Sequence, residues 1–296
     1  AYNDLQKVHG SEITPIMRKR GKKLFEIDNE IRSIKKQLKK IRTMKRNDIL
    51  EDYCLHFLCH FAHGSIIMDI LFHTAPDVTL VPIDTKNRDI AKSIHKAIEA
   101  KVGIININSY LKDTLEMREA LKKAQENDIF ITIGAGNNEQ GDKYGDPMRP
   151  GATNLCSAIG DKGMLLVGAL QYTPAIDVWS LSSFVREDFA FYTKIAPSQL
   201  ENSFVCAPGD DVETYVGGVS GTCAATPSVS GCAALLLNQA AQQQYTLSNV
   251  ELAYLLHHYG HNVTSTFPGD TDKKTFKSIN VKQSSKALDS IILDRQ

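Results

Sequence analysis

The stretch Gly218-Val-Ser-Gly-Thr-Cys-Ala-Ala-Thr-Pro-Ser-Val-Ser-Gly231 predicts a closely packed loop that turns into a helix. Small residues let two backbones approach closely, and proline is tolerated in a first helical turn, where its missing N–H leaves no bond unmade. The helix is expected to continue through Ala233-Ala-Leu-Leu-Leu-Asn238. Cys223 lies where the loop becomes the helix, so the positive end of the helix dipole would favour its thiolate. The pattern predicts a nucleophile at Cys223, and the alternative is a buried structural cysteine.

The length and composition are typical of a globular protein. The chain has 296 residues, 42% of them hydrophobic, enough for a substantial core in one large or two modest domains. Its 34 basic and 34 acidic residues balance, so no binding to nucleic acid is expected. The sequence contains six scattered cysteines, no secretory signal and no apolar run of about 18 residues. These features predict no transmembrane segment, reduced thiols, and a cytoplasmic location or delivery into a cytosol.

A basic amphipathic helix is predicted near the N-terminus. Apolar residues recur three and four apart from Leu24 to Ile41, and lysines and arginines fill most of the positions between them. The helix would either pack its apolar stripe on the main domain or serve as an arm, residues 22–46, that binds a protein partner or acidic lipid or self-associates. We therefore predict an N-terminal extension over residues 1–47 and a main domain over residues 48–296.

Strands and helices are predicted to alternate through the main domain. Apolar runs predict strands at residues 78–83, 102–108, 128–134, 164–170 and 203–209. Amphipathic runs predict helices at residues 88–101, 115–125, 247–258 and 284–292. Residues 262–274 are expected to form a loop. Such alternation is typical of an α/β fold with a mostly parallel sheet and helices on both faces, in which functional residues gather at the carboxyl ends of strands.

Three histidines offer a possible metal site. His56, His60 and His63 recur at helical spacing, which would place them along one side of a helix. No set of cysteines or carboxylates completes the ligand group that zinc requires. We therefore predict no metal here, and each histidine is taken as an ordinary core or surface residue.

The Cys223 segment resembles the nucleophile motif of the subtilisin-like serine proteases, in which Gly-Thr-Ser is followed by Met-Ala and then Pro-x-Val-x-Gly. Cys223 stands where that family has its serine. The chain is similar to the family over roughly residues 60–285, with further motifs in the same order. These are His63-Gly-Ser65, similar to His-Gly-Thr; Ile104-Ile-Asn-Ile-Asn-Ser-Tyr110, similar to Val-Ile-Asn-Met-Ser-Leu-Gly; and Gly134-Ala-Gly-Asn137, similar to Ala-Ala-Gly-Asn.

The resemblance implies a three-layer subtilisin-like fold and an endopeptidase that acts on protein or peptide substrates. It implies that His63 is the general base, that Cys223 occupies the nucleophile position, and that Asn137 is the oxyanion-hole amide. It also implies a set of substrate-binding residues, namely Asn108, Ser109, Tyr110, Gly134, Ala135 and Gly136. No cofactor is expected. Calcium sites are frequent in the family, but none can be assigned from the scattered acidic residues.

Two departures from the family leave the activity open. Cys223 is either an inactivating substitution for serine or the nucleophile of a natural thiol-dependent hydrolase. The family also places its triad aspartate before the histidine, after a Val-Ile strand. Here Ile27-Asp28 is the single Ile-Asp before His63, within the helical pattern, and Asp48, Asp52 or no residue at all are the alternatives. The second functional hypothesis is therefore an inactive pseudoprotease that binds a partner through its cleft and its basic N-terminal helix.

Overall fold

The computed structural model describes much of the main domain, over residues 63–83, 85, 89–109, 111–136, 155–156, 158–160, 162–172, 176–178, 202–215, 217–266 and 273–295. Several predictions therefore lie outside the described residues. These are the basic helix at 22–46, the boundary after residue 47, the three aspartates Asp28, Asp48 and Asp52, the histidines His56 and His60, and the site residues Tyr110 and Asn137.

One sheet forms the centre of the described structure, and its seven strands run in the order β1-β2-β3-β5-β7-β6, with β4 paired to β3. The strands are β1 Ile104–Ile107, β2 Phe130–Gly134, β3 Met164–Tyr172, β4 Ile176–Val178, β5 Phe204–Pro208, β6 His261–Thr266 and β7 Lys273–Ser278. Strands β1, β2, β3, β5 and β7 run parallel to one another, whereas β4 pairs antiparallel with β3 and β6 pairs antiparallel with β7. This confirms the mostly parallel sheet.

The helices that cover the sheet begin where capping residues allow them to. They are α1 over residues 63–74, α2 Ile90–Glu99, α3 Leu115–Glu126, α4 Thr222–Gln242, α5 Asn249–His258 and α6 Val281–Asp294. Asp89, Thr114, Ser248 and Asn280 each accept a backbone hydrogen bond in the first turn of the helix that follows. Such caps satisfy N–H groups that have no partner within the helix. The helices predicted at residues 88–101, 115–125, 247–258 and 284–292 are confirmed to within a few residues at each end.

Two apolar cores lie on opposite faces of the sheet. Along β3 the side chains alternate, so that Leu166 joins the core under α2 and α3 whereas Leu165 and Val167 join the core under α4, α5 and α6. Leu121 of α3 and Leu236 of α4 are fully buried in these two cores. The helices therefore form layers on both faces, as the α/β fold predicts.

The strand predicted at residues 78–83 is wrong. This segment has no ladder of backbone hydrogen bonds among the described residues, and Val81 is 48% exposed. An apolar run becomes a strand only where its N–H and C=O groups find a neighbouring strand. In the described sheet β1 is an edge strand, paired only with β2, and residues 78–83 form no ladder with its free edge.

The loop predicted at residues 262–274 is wrong at 262–266 and at 273–274, because β6 and β7 form an antiparallel pair there. Val263 is buried on this pair, and Thr264 and Thr275 face each other across it with their hydroxyl oxygens 2.8 Å apart. Strands of mostly polar residues lack the apolar alternation by which a strand is recognised. The threonines were the available signal, since β-branched residues favour strands.

Candidate active site

The amino end of α4 is held against the sheet by glycines. Gly221 caps the helix with φ of +145°, a conformation that disfavours any residue with a side chain. Its N–H donates to the Gly209 carbonyl over 2.7 Å, and a Cβ built on Gly209 would lie 2.6 Å from Cβ of Ala169 and 2.9 Å from the Gly221 carbonyl oxygen. The loop before α4 therefore lies directly on the ends of β3 and β5.

Cys223 occupies the first turn of α4 and is half-buried, which distinguishes it from the other described cysteines. Cys156, Cys206 and Cys232 are buried. Burial raises the pKa of the Cys206 thiol to about 12 and that of Cys232 to about 11, because desolvation disfavours the thiolate. Within the described part of the chain, Cys223 is the one cysteine that is not fully buried.

The sequence predicted a proline in the first turn of the helix. The helix begins earlier, at Thr222, so Pro227 lies within α4 beyond that turn. A proline has no N–H, so the carbonyl of Cys223 receives no hydrogen bond from the helix position four residues on. The interruption falls in the turn that carries Cys223.

The loop after β2 is bound to the start of α4. The Ala135 N–H donates to the Val167 carbonyl of β3 over 2.9 Å, and the Gly136 N–H donates to Oγ1 of Thr222 over 3.2 Å. Gly136 has φ of +103°, which again favours glycine. The segment that the sequence predicted as part of the site thus contacts the helix that carries Cys223.

Asn108 lies beside the same contact. It follows β1 and is half-buried, whereas the next residue, Ser109, is exposed. A Cβ built on Gly134 would lie 3.2 Å from Oγ1 of Thr226, 3.5 Å from Oγ1 of Thr222 and 3.7 Å from Oδ1 of Asn108. The structure therefore brings Asn108 and Gly134 together at the carboxyl ends of β1 and β2, beneath the start of α4.

A row of hydroxyl groups along α4 faces β2, and the sequence analysis missed it. We call Thr222, Thr226 and Ser230 the hydroxyl stripe, since residues four apart lie on one side of a helix. All three are buried. The stripe follows Gly136, Gly134 and Thr132, the alternate residues of β2 and its loop. Hydroxyl residues at every fourth position of an otherwise apolar helix were the signal available.

Ser230, the last residue of the hydroxyl stripe, belongs to a buried hydrogen-bonded cluster. Oγ of Ser230 lies 2.6 Å from Oγ1 of Thr132 and donates to Oδ1 of Asn106 over 3.0 Å. Oγ1 of Thr132 also donates to that amide oxygen, over 3.3 Å. We call these three residues the polar clamp. It joins β1, β2 and α4 at one place beneath the candidate site.

His63 is the first described residue of α1, and it is half-buried. The rest of this helix contacts the described domain at two points, Thr74 and Asp69. A Cβ built on Gly231 would lie 2.6 Å from Cβ of Thr74, so α1 and α4 are in close contact there. Asp69 of α1 accepts a 2.9 Å hydrogen bond from the Tyr215 N–H, in the loop that leads to Cys223.

The described residues contain no group of three or more His, Cys, Asp or Glu side chains that could hold a metal ion. Calcium binding therefore stays an untested expectation. None of the helices in the described part of the chain has the length and hydropathy needed to cross a bilayer.

Comparison with known sequences identifies the chain's relatives. The model of the Subtilase family matches residues 59–276. An "Intracellular serine protease" of Paenibacillus polymyxa is 30% identical over 176 residues, which are 55% of this chain and 46% of that protein. The chain thus matches under half the length of this curated relative.

Solved structures share the fold. The patellamide maturation protease PatA superposes with a TM-score of 0.56 at 22% identity, covering 78% of this chain and 85% of PatA. The PatG macrocyclase, solved with a peptide, gives a TM-score of 0.52 at 17% identity, covering 84% of this chain and 77% of PatG. At such low identities, these two proteins show the likeness of fold alone.

Proposed function

The chain belongs to the subtilase family, and from that membership we propose that it hydrolyses peptide bonds by acyl transfer at the amino end of α4. The observation that carries the proposal is the contact of Thr222 with Gly136, because it joins the helix start that bears half-buried Cys223 to the predicted oxyanion loop. A protein or peptide is the substrate. The name of the Paenibacillus polymyxa relative supports a reaction inside the cell.

The proposed chemistry needs a nucleophile, a base and donors to the developing oxyanion. Sγ of Cys223, or Oγ of a serine in its place, attacks the carbonyl carbon of the scissile bond while His63 takes its proton. The oxyanion accepts hydrogen bonds from the Cys223 N–H and from Asn137. When the C–N bond breaks, His63 returns the proton to the leaving amine. Water, deprotonated by His63, then hydrolyses the acyl-enzyme and releases the nucleophile.

The substrate backbone is proposed to lie along the ends of β1 and β2, in contact with Asn108, Ser109, Tyr110, Gly134, Ala135 and Gly136. The meeting of Asn108 and Gly134 beneath α4 supports this placement. In α/β folds ligands bind at the carboxyl ends of parallel strands, which is where these two residues lie. No cofactor takes part in the proposed reaction.

The second candidate is a pseudoprotease that binds a protein partner without cleaving it. The observation that favours it is Cys223 itself, which stands where the family has serine. In this case the basic segment 22–46 would contact the partner, and residues 1–47 would act as a recognition arm attached to the domain over residues 48–296. If none of Asp28, Asp48 and Asp52 serves as the triad aspartate, turnover would be lower by about 10⁴, as this candidate requires.

The two candidates are separated by measuring peptide hydrolysis and fluorophosphonate labelling in the protein as it stands and in Cys223→Ser. We expect Cys223→Ser to cleave peptides and to be labelled. His63→Ala should abolish both, and Asn137→Ala should lower kcat by about 10²–10³, the usual cost of losing an oxyanion donor. Cys232→Ser, a change at a buried cysteine of the same helix, is the matched control. Its activity should equal that of the unaltered chain.

A folded Cys223→Ser protein that neither cleaves peptides nor takes up the fluorophosphonate would reject the proposed reaction. Circular dichroism of each variant establishes folding. If partner capture then persists in the full chain and is lost on deletion of residues 1–46, the pseudoprotease is the better description. If the unaltered chain cleaves peptides and iodoacetamide stops it, Cys223 is a working nucleophile.

A further inference from the structure

We propose that the polar clamp of Asn106, Thr132 and Ser230 is a positioning device that sets α4 in register with β1 and β2, and so places Cys223 over the strand ends. The inference rests on the proposed function for its catalytic meaning. None of the three residues touches the reacting atoms in the proposed reaction. They would act through the elements that carry Cys223, Asn108 and the loop after β2.

The hydrogen bonds of the clamp can be assigned consistently. Thr132 and Ser230 each have one hydroxyl proton, and the two shortest contacts use both of them. In that arrangement Thr132 donates to Ser230 over 2.6 Å, and Ser230 donates to Oδ1 of Asn106 over 3.0 Å. The 3.3 Å contact between Thr132 and Asn106 is then secondary. One residue from each of three elements takes part, so the cluster fixes all three together.

The clamp is unusual for its location. Thr132 is 0% exposed and Ser230 2% exposed, beside the apolar core that α4 shares with the sheet. Apolar contacts tolerate small sliding movements, because they have no preferred direction. Hydrogen bonds hold a particular distance and angle, and a buried group left without a partner is costly. A polar cluster here therefore selects one register of α4 on the strands.

That register is transmitted to the candidate site through continuous elements. Ser230 lies roughly two helical turns beyond Thr222 on the same side of α4. Thr132 leads through Gly134 to Gly136, whose N–H bonds Thr222. The clamp at one end and the Thr222 contact at the other hold α4 at two points along β2. Rotation or sliding of the helix start is thereby opposed.

The clamp also includes the substrate strand. Asn106 lies in β1 and contacts α4 through Ser230, and Asn108 directly follows the strand, two residues on. Oδ1 of Asn106 accepts the Ser230 hydroxyl proton over 3.0 Å and lies 3.3 Å from Oγ1 of Thr132, so β1 is fixed relative to α4 by the same cluster. Asn108 then lies near Gly134 and the start of α4. A shift of α4 would therefore alter the nucleophile and the predicted substrate segment together.

The decisive variant is Thr132→Val combined with Ser230→Ala. It removes both hydroxyls from the buried interface, so neither is left without its partner, and half-buried Asn106 can turn toward water. The double variant should be more stable than Ser230→Ala alone. It should still lack the native placement of α4 on the strands. A merely structural role would let activity return with stability. Ser230→Thr keeps a hydroxyl at this position, so its activity should be that of the protein with Ser230.

Two readouts keep the clamp and the proposed function separate. In the Cys223→Ser form, we expect the double variant to lose about 10- to 100-fold in kcat with less than about a twofold change in KM, as small misplacements do. In the unaltered Cys223 form, we expect the pH midpoint of iodoacetamide alkylation at Cys223 to rise by about a few tenths of a unit as the thiol leaves the helix dipole. The alkylation arm needs no peptide hydrolysis.

The control is Thr264→Val with Thr275→Val, which removes another pair of facing hydroxyls from the same sheet far along the strand order. It should change neither readout. Recovery of both kcat and the alkylation midpoint in the double clamp variant would overturn the inference. If no Cys223→Ser form hydrolyses peptide, the proposed reaction fails, and the alkylation midpoint alone decides for or against the clamp.

Discussion

The two halves of α4 lie on the same sheet but contact it with different chemistry. The first half, residues 222–231, places the three hydroxyls of the hydroxyl stripe on β2 and its loop. The second half continues the same side of the helix with Ala233, Leu236 and Ala240, all inside an apolar core. Cys223 and Cys232 mark the beginning of each half.

The difference shows what each kind of contact contributes. Apolar burial in the second half supplies most of the free energy that holds the helix on the sheet, since it scales with the area removed from water. Buried hydroxyl pairs in the first half add little net stability, because they exchange water partners for protein partners. They fix direction and distance instead. The helix is therefore anchored at one end and aligned at the other.

The largest expected contrast between the halves is in thiol reactivity. At pH 8 and in the folded protein, iodoacetamide should modify Cys223 at least about 100-fold faster than Cys232, because burial raises the pKa of Cys232 to about 11 and thiolate is the reactive form. Peptide mapping by mass spectrometry measures both rates. In denaturant the two cysteines should react alike, and equal rates in the folded state would break the comparison.

The next contrast is in stability. Leu236→Ala, in the apolar half, should lower the free energy of unfolding by about 2–5 kcal/mol, because a fully buried leucine leaves a cavity. Urea unfolding measures the loss. The rate of Cys223 alkylation in the folded variant should stay at its original value, and a change in that rate would mean that the apolar half also sets the position of the nucleophile.

The boundary between the halves can be tested at Gly231. A Cβ there would lie 2.6 Å from Cβ of Thr74, so Gly231→Ala should cost about 1–3 kcal/mol by overpacking, in spite of the better helix propensity of alanine. Thermal unfolding gives the change. Gly103→Ala is the matched control, because its nearest contact would be an ordinary 3.6 Å from Leu237, and it should be tolerated.

The smallest effect is expected beyond the apolar end of α4, where Glu251 accepts hydrogen bonds from Tyr245 and Ser248 and lies 3.1 Å from Arg295. Burial pushes the pKa of Glu251 upward, but those hydrogen bonds and the Arg295 charge outweigh it, so the pKa is lowered. A lowered pKa contributes stability above the unfolded value of about 4.3, and that stability is lost as pH falls through the folded value.

Glu251→Gln should therefore flatten the fall in stability below about pH 5 and remove a few tenths of a kcal/mol at pH 7, as expected for a largely exposed pair. The free energy of unfolding, measured with urea from about pH 3 to about pH 7, gives both effects. Asp289→Asn is a suitable control on α6, because its carboxylate accepts from neutral Gln239 and Gln243. Identical pH profiles for Glu251→Gln and the unaltered chain would contradict the expectation.

Much of the fold followed from local pattern. The helix predicted at residues 247–258 is Asn249–His258, and it begins after Ser248 because that side chain caps the first turn. Strands β2, β3 and β5 are apolar runs that the sheet buries on both faces, and their sequences show it. The residues 78–83 have the same apolar character but no partner strand, a condition that composition does not reveal.

The candidate site was predicted unevenly. Gly134, Gly136 and Cys223 belong to glycine-rich or helix-start patterns that have local conformational causes, and the structure brings their segments together. Asn106, Thr132 and Ser230 were missed because each looks ordinary in its own segment. Their meaning arises when three distant parts of the chain meet, and such a contact leaves no local periodicity in the sequence.

Gly209 and Gly221 have a consequence for the comparison of relatives across evolution. Both are required by backbone geometry, whether or not the neighbouring thiol or hydroxyl ever attacks a substrate. Selection for a folded protein alone would preserve them, whereas only selection for turnover would preserve the identity of residue 223. A lineage that had lost catalysis would keep the glycine signature intact. Conservation of the residue at position 223 therefore indicates whether the reaction has been retained. Conservation of the surrounding glycines does not.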